Sequence, residues 1–249
     1  MSALVSIITP SYNSARFINE CVSSVLEQTY TNWELIIIDD ASDDNSRELI
    51  SNIAERDNRI KFVFLTKNIG VAGARNIALE MSKGRYIAFL DSDDIWKKEK
   101  LTTQIDFMQF HNISFSFSSY QPISENGMEF FREIKAPLKV DYNFFLKNTI
   151  IGCLTVVLDK HKLGDVKIPK LRTSQDMALW LTILRGGIVA YGIEESLAYY
   201  RIVGNSNTSN KFKVIQGVWR IYRIEEGLSN LKSIWCFLNY AFNAIKKRI

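Results

Sequence analysis

Residues 34–44 read ELIIIDDASDD. The LIII run has no polar position, which suits a strand covered on both faces, and such strands belong to parallel sheets flanked by helices. Working outward, Leu4–Thr9 is a second short, β-branched apolar run and predicts another strand. Phe17–Glu27 places Phe17, Ile18, Cys21, Val22, Val25 and Leu26 at the spacing of one helical face. Asp44–Ala54 is again helical, with Asp43 or Asp44 as its N-cap. Ile60–Leu65 predicts a strand, Ala72–Met81 a helix and Tyr86–Leu90 a strand. Strand and helix alternating at this pace predict an α/β fold, a mainly parallel, Rossmann-like sheet flanked by helices.

The regularity then fades. Lys98–His111 reads as a helix, and Ile113–Ser119, with Phe115 and Phe117 among serines, as an edge or antiparallel strand. Tyr120–Pro137 reads as a polar loop or small hairpin around Gly127. Thr155–Leu158 reads as a strand and Gln175–Leu184 as a helix. Ile188–Tyr191 and Leu197–Arg201 read as two short strands, followed by a polar loop at Gly204–Asn210. Beyond it, Ile215, Val218, Trp219 and Tyr222 recur at helical spacing. After a break near Gly227, so do Leu231, Ile234, Trp235, Leu238, Phe242 and Ile245. The expected division is a body, 1–210, with halves 1–100 and 101–210, and a basic amphipathic helical tail, 211–249.

Composition narrows the class. The chain has 249 residues, 47% hydrophobic and 23% charged, too apolar for disorder and too mixed for a coiled coil. No apolar run approaches the roughly 18–20 residues of a membrane span, and the N-terminus lacks a secretory pattern. Cys21, Cys153 and Cys236 are odd in number and far apart, which predicts reduced thiols in a cytoplasmic protein. His111 and His161 stand away from them, so zinc-site spacing is absent; His161, in DKHKLGD, reads as a turn. There is neither a P-loop nor a G-x-S-x-G elbow. The net charge is +4, but residues 211–249 carry +6 and residues 1–210 carry −2. Charge so confined does not make the body a nucleic-acid groove.

The chemistry concentrates in carboxylates. Two predicted strands end in them: Asp39-Asp40, and Asp91-Ser92-Asp93-Asp94. Ligands of an α/β sheet bind where strand C-termini meet the following loops. Adjacent carboxylates repel, and a divalent cation or hydrogen-bond donors offset that repulsion. Helix capping is the alternative, chiefly for Asp43 or Asp94. TPSYN follows the first strand, where Pro10 fixes a turn and Tyr12 either stacks on a ligand or covers the sheet edge. In GVAGARN, Arg75 lies near a helix start, suited to an anion such as diphosphate or, alternatively, placed on the surface after a turn.

Taken in order, TPSYN, IIIDDASDD, GVAGARN and RYIAFLDSDDIW resemble the inverting glycosyltransferases of family 2, with the GT-A fold. The resemblance extends through SQDMALWLTIL and SLAYYRIVGNSNTSNK, to about residue 210. It implies that 1–210 is a GT-A catalytic domain, with a nucleotide-binding half and an acceptor half. Pro10 and Tyr12 would line the nucleobase pocket, Asp40 would accept a hydrogen bond from uracil, and Arg75 would contact the nucleotide. Asp91 and Ser92 would lie by ribose or donor sugar. Asp93, with Asp91 as a second candidate, would hold Mn²⁺ or Mg²⁺ on the diphosphate. Asp176 would be the general base, its alternative being a helix N-cap. Two departures stand out: Ala41 where glycine is commoner, and Gln175 where glutamate is frequent.

The resemblance further implies a UDP-sugar donor and a polyprenyl-diphosphate-linked acceptor in O-antigen or capsule assembly, with an enzyme cytoplasmic or peripheral on the membrane. The tail has two compatible readings: it lies on an anionic membrane surface, or it packs on the body or on a second subunit of a homodimer. The rivals are a non-catalytic nucleotide- or carbohydrate-binding component and a sugar-1-phosphate nucleotidylyltransferase. The latter wants a Gly-rich basic loop after the first strand, which TPSYNSA lacks.

Overall fold

The computed structural model describes residues 2–129, 132–171, 173–204 and 211–246. Its elements are, in order, β1 (Val5–Ser11), α1 (Ile18–Leu26), β2 (Trp33–Asp39), α2 (Ser46–Ala54), β3 (Ile60–Phe64), α3 (Val71–Met81), β4 (Tyr86–Phe89) and β5 (Ile95–Trp96). There follow α4 (Lys100–Phe110), β6 (Phe115–Ser124), β7 (Lys139–Val140), α5 (Tyr142–Phe145), a 3-10 turn at Cys153–Thr155, β8 (Val157–Asp159) and α6 (Lys160–Leu163). The last are α7 (Gln175–Arg185), β9 (Ala190–Ile202), α8 (Lys211–Arg220), a π-helical turn at Ile221–Glu225 and α9 (Asn230–Lys246).

One sheet organises them, in the order β3-β2-β1-β4-β8-β6-β9-β5, with β7 on β9. The first four strands are parallel. Beyond them β8 is antiparallel to β4 and β6, while β6 and β9 run parallel. The LIII strand behaves as its composition requires. Leu35 and Ile37 join the core under α1, α2 and α4, while Ile36 and Ile38 face α3 on the other side. Helix α3 approaches closely because its inner face is Ala72, Ala74 and Ala78. Helix α7 is apolar almost all round, with Met177, Leu179, Trp180, Leu181 and Leu184 buried.

Several expectations need correcting. Of the two readings of residues 120–137 the small hairpin around Gly127 is the one seen, with Tyr120 and Ile123 bridging to Ile134 and Glu129. Residues 120–124, however, are also the outer half of β6 and not loop. The two strands expected at 188–191 and 197–201 are one long strand, β9, crossing register shifts against β6. His161 lies in the short helix α6, not a turn. The N-cap position of α2 is Asn45, not Asp43 or Asp44. Residues 205–210 of the expected polar loop lie outside the described residues.

The inner side of the tail packs on the body. Val218, Ile221, Tyr222, Leu228 and Cys236 share a core with Phe145, Trp180 and Leu184. Tyr222 donates its hydroxyl to the Leu146 carbonyl at 2.5 Å, and Tyr142 to Glu226 at 2.6 Å. Among the described residues no helix is long and apolar enough to cross a membrane.

Candidate active site

The strand order turns between β1 and β4, the place where an α/β sheet opens a crevice for ligands. Pairing of these strands ends at Ile8 and Phe89, with the Leu90 N–H donating to the Ile8 carbonyl at 3.1 Å. Pro10 does not turn the chain but stays in β1, paired with Ile38 of β2, and has no N–H to continue the ladder toward β4. The chain after Leu90 therefore leaves the sheet as Asp91–Asp94. Tyr12 stands at the same end of β1, 53% exposed, with its ring open to a planar ligand.

The Asp39-Asp40 pair divides its work. Asp39 is fully buried, accepting from Arg47 Nε at 2.8 Å and from the Ser42 backbone N–H at 3.1 Å and hydroxyl. Asp40 accepts from the Ile69 N–H at 2.7 Å and the Gly70 N–H at 2.8 Å, fixing the turn into α3, where Gly70 takes φ +83°. Those bonds leave lone pairs for a further donor. Between Asp40 and Ser42, Ala41 holds φ +65°, a left-handed conformation that favours glycine.

Helix α3 delivers Arg75 to the opening, buried and donating through Nη2 to Asp91 Oδ1. Burial works against its charge, but the Asp91 carboxylate outweighs it and holds the guanidinium more firmly protonated than usual. Its Nε is a buried donor with no partner among the described residues. Ser92, next to Asp91 in sequence, is buried. Burial, then repulsion from Asp91, raises the Asp93 carboxyl to about 6, against the opposing pull of Arg201 and Arg75. Asp94 caps no helix: its Oδ1 accepts from the Arg201 N–H at 2.9 Å.

Asp176 lies in the first turn of α7, and the N-cap position belongs to Ser174, at φ +56°. Its carboxyl is raised by burial, lowered by Arg75 and the Met177 N–H, and raised again by Asp91. Arg75, Asp91 and Asp176 thus form one electrostatic group, to which the partly buried Cys153 thiol also belongs. Gln175 turns away, its amide donating to the Leu171 carbonyl at 2.7 Å. Asp176 is the carboxylate this helix presents to the group.

Arg201 is the residue whose part here the sequence reading missed. It is buried and donates to the Asp93 carbonyl at 2.8 Å, the Glu125 carbonyl at 2.7 Å and Glu20 at 2.5 Å. It thereby fixes the backbone of the acidic loop.

A cation can be tested against these groups. Among the described residues no cluster of three or more His, Cys, Asp or Glu side chains could hold a metal. Asp91 and Asp93 supply two carboxylates whose mutual repulsion a cation would relieve. One or two carboxylates completed by substrate phosphates and water is the usual Mg²⁺ arrangement. The donor set fits an ion that arrives with a diphosphate.

A model of glycosyl transferase family 2 matches residues 6–163. The chain belongs to that family. This family 2 glycosyltransferase is 48% identical over 246 residues to TuaG of Bacillus subtilis, named for teichuronic acid biosynthesis, covering 99% of this chain and 98% of TuaG. It is 44% identical over 246 residues to WfgD of Escherichia coli, a UDP-Glc:alpha-D-GlcNAc-diphosphoundecaprenol beta-1,3-glucosyltransferase, covering 98% and 94%. Among solved structures, Staphylococcus aureus TarS 1–349 in complex with UDP-GlcNAc gives a TM-score of 0.73 at 18% identity, over 97% of this chain and 72% of that one. The mannosyltransferase PcManGT of Pyrobaculum calidifontis, in complex with GDP-Man and Mn²⁺, gives 0.69 at 16% identity, over 97% and 74%. At these identities the structures establish the GT-A fold.

Proposed function

We propose that this glycosyltransferase moves a hexose or N-acetylhexosamine from a UDP-sugar to a polyprenyl-diphosphate-linked saccharide, with inversion, forming a β-linkage in O-antigen or capsule assembly. Residues 1–100 form the nucleotide half, 101–210 the acceptor half, and the enzyme works in the cytoplasm at the membrane face. WfgD, with 44% identity along almost the whole chain, supports UDP-glucose as the first donor to test.

The observation that carries the reading is the placement of Asp176, a lone partly buried carboxylate facing the Arg75–Asp91 pair. As general base it takes the proton from the acceptor hydroxyl while the oxygen bonds to the anomeric carbon. The bond to UDP breaks and UDP leaves with the electron pair. Burial keeps the carboxylate basic, and Arg75 keeps it ionised. Tyr12 and Pro10 flank the uracil ring, Asp40 receives a uracil N–H, and Asp91 and Ser92 face ribose or sugar. A Mn²⁺ or Mg²⁺ ion held by Asp93, with Asp91 beside it, would supply Lewis-acid stabilisation of the leaving diphosphate. The PcManGT complex, with its nucleotide sugar and Mn²⁺, supports that assignment.

The test is transfer from UDP-glucose to a synthetic GlcNAc-diphosphate lipid, with Mn²⁺ or EDTA, reading product anomericity by NMR. Expected are a β-product only with metal, and in Asp176→Asn a kcat lowered at least about a hundredfold with UDP affinity unchanged. Near-normal turnover in Asp176→Asn, or an α-product, would overturn the assignment. No nucleotide effect on a folded chain would leave the non-catalytic reading.

A further inference from the structure

We infer that the outer face of α9 is a seat for an anionic lipid bilayer; this deepens the lipid-acceptor reading above and rests on it. A helix on a protein surface normally turns its polar side to water. Helix α9 does the reverse. Leu231 is 83% exposed, Ile234 48%, Trp235 61%, Leu238 60% and Phe242 68%. At about 100° per residue these five share one arc roughly 100° wide. The opposite arc carries Ser233 and Cys236, both buried, with Phe237 and Tyr240 packed on the body's core.

Charge selects the occupant. From Gly227 to the end the sequence has no Asp or Glu and four basic residues, Lys232, Lys246, Lys247 and Arg248. Exposed Lys232 flanks the apolar arc. An apolar arc flanked by exposed Lys232, on a segment whose sequence carries basic residues and no acid, matches an anionic interface. A second copy fits less well: it would set two such basic segments against each other. One 17-residue helix is also a narrow basis for the roughly 800 Å² per partner of a stable interface.

The seat is rigid. The Asn243 side chain donates to the Lys147 carbonyl at 2.9 Å, and Glu226, just before α9, pairs with Arg185 at 3.2 Å. Arg185 ends α7, the helix that begins with the Asp176 turn. Binding therefore needs no folding of α9, and it fixes the attitude of the acceptor half to the lipid surface.

The test uses the full chain, sedimented with vesicles of phosphatidylcholine alone or with about 30% phosphatidylglycerol. Expected is binding at least about tenfold tighter to the anionic vesicles and weakened by salt. Trp235→Glu and Leu238→Glu should each weaken it about tenfold or more with Tm and UDP affinity unchanged, since both side chains already face solvent. Lys232→Glu should cost about tenfold on anionic vesicles only. Failure of the wild-type chain to sediment, or wild-type binding by Leu238→Glu, overturns the inference. A dimer lost in Trp235→Glu would also overturn it and give the face to a second copy. Transfer to a short-chain, water-soluble acceptor is measured in parallel. Transfer without vesicle binding removes the seat and leaves the proposed reaction; vesicle binding without transfer does the opposite.

Discussion

Asp93 sits where burial and the charge of Asp91 both oppose its ionisation, and its carboxyl is raised to about 6. An ordinary unfolded Asp titrates near 3.9. The folded chain therefore holds this proton more tightly, and stability falls as pH rises through about 6. Asp94 and Asp176, also raised, act in the same sense. Lys100 works the other way: fully buried over the Trp96 ring, it is lowered to about 7. The unfolded chain binds that proton more readily, so stability recovers above pH 7. The expected profile in EDTA is a trough of Tm near neutrality. Asp93→Asn should flatten the acid-side fall and so lift the trough, and Lys100→Met should flatten its alkaline rise, each unit of displacement being worth about 1.4 kcal/mol. A Tm that climbs steadily from pH 5 to 7 would contradict this. The carboxylates themselves were legible because adjacent acids at strand ends call for a reason. Their division of labour was not: Asp40 meets backbone N–H groups, Asp94 a backbone N–H and Arg201 two carbonyls, and such partners leave no trace in side-chain identity.

At the scale of elements, β9 depends on one glycine. Gly192 lies between β6, where it faces Phe117, and the segment before β7, where its N–H donates to the Leu138 carbonyl at 3.0 Å. A Cβ there would stand 2.1 Å from the Pro137 carbonyl oxygen. Gly192→Ala should therefore cost at least about 2 kcal/mol, read as a lower denaturant midpoint at unchanged m-value. An unchanged midpoint would show that the Pro137 segment yields freely. The same strand shows why the second half was harder to read. Glu194, Glu195 and Ser196 interrupt its apolar pattern, so one strand looks like two. In β6, Gln121 and Pro122 look like loop, although pairing with β9 carries the strand to Ser124. The first ninety residues lack this ambiguity because β1, β2 and β4 are buried along their whole length and the strands there alternate with helices.

For the whole molecule, the tail is part of the core as well as a surface. Cutting after Asn210 removes Val218, Ile221 and Tyr222 from contact with the body. Losses of about 2–5 kcal/mol for each large buried side chain would consume a total stability of roughly 5–15 kcal/mol. The truncated chain should lose its cooperative thermal transition. A soluble truncation melting like the full chain would show the tail to be an accessory.

Arg201 has a consequence for synthesis. It joins Glu20, 181 positions earlier, to the carbonyls of Asp93 and Glu125. Chains emerge from the ribosome N-terminus first. A nascent chain that already displays Asp91-Ser92-Asp93 still lacks the residue that fixes their loop, and Arg201 follows Asp93 only 108 positions later. The fixed shape of the acidic loop is thus a late product of translation. Fragments released before residue 201 carry the acidic motif without its fastening.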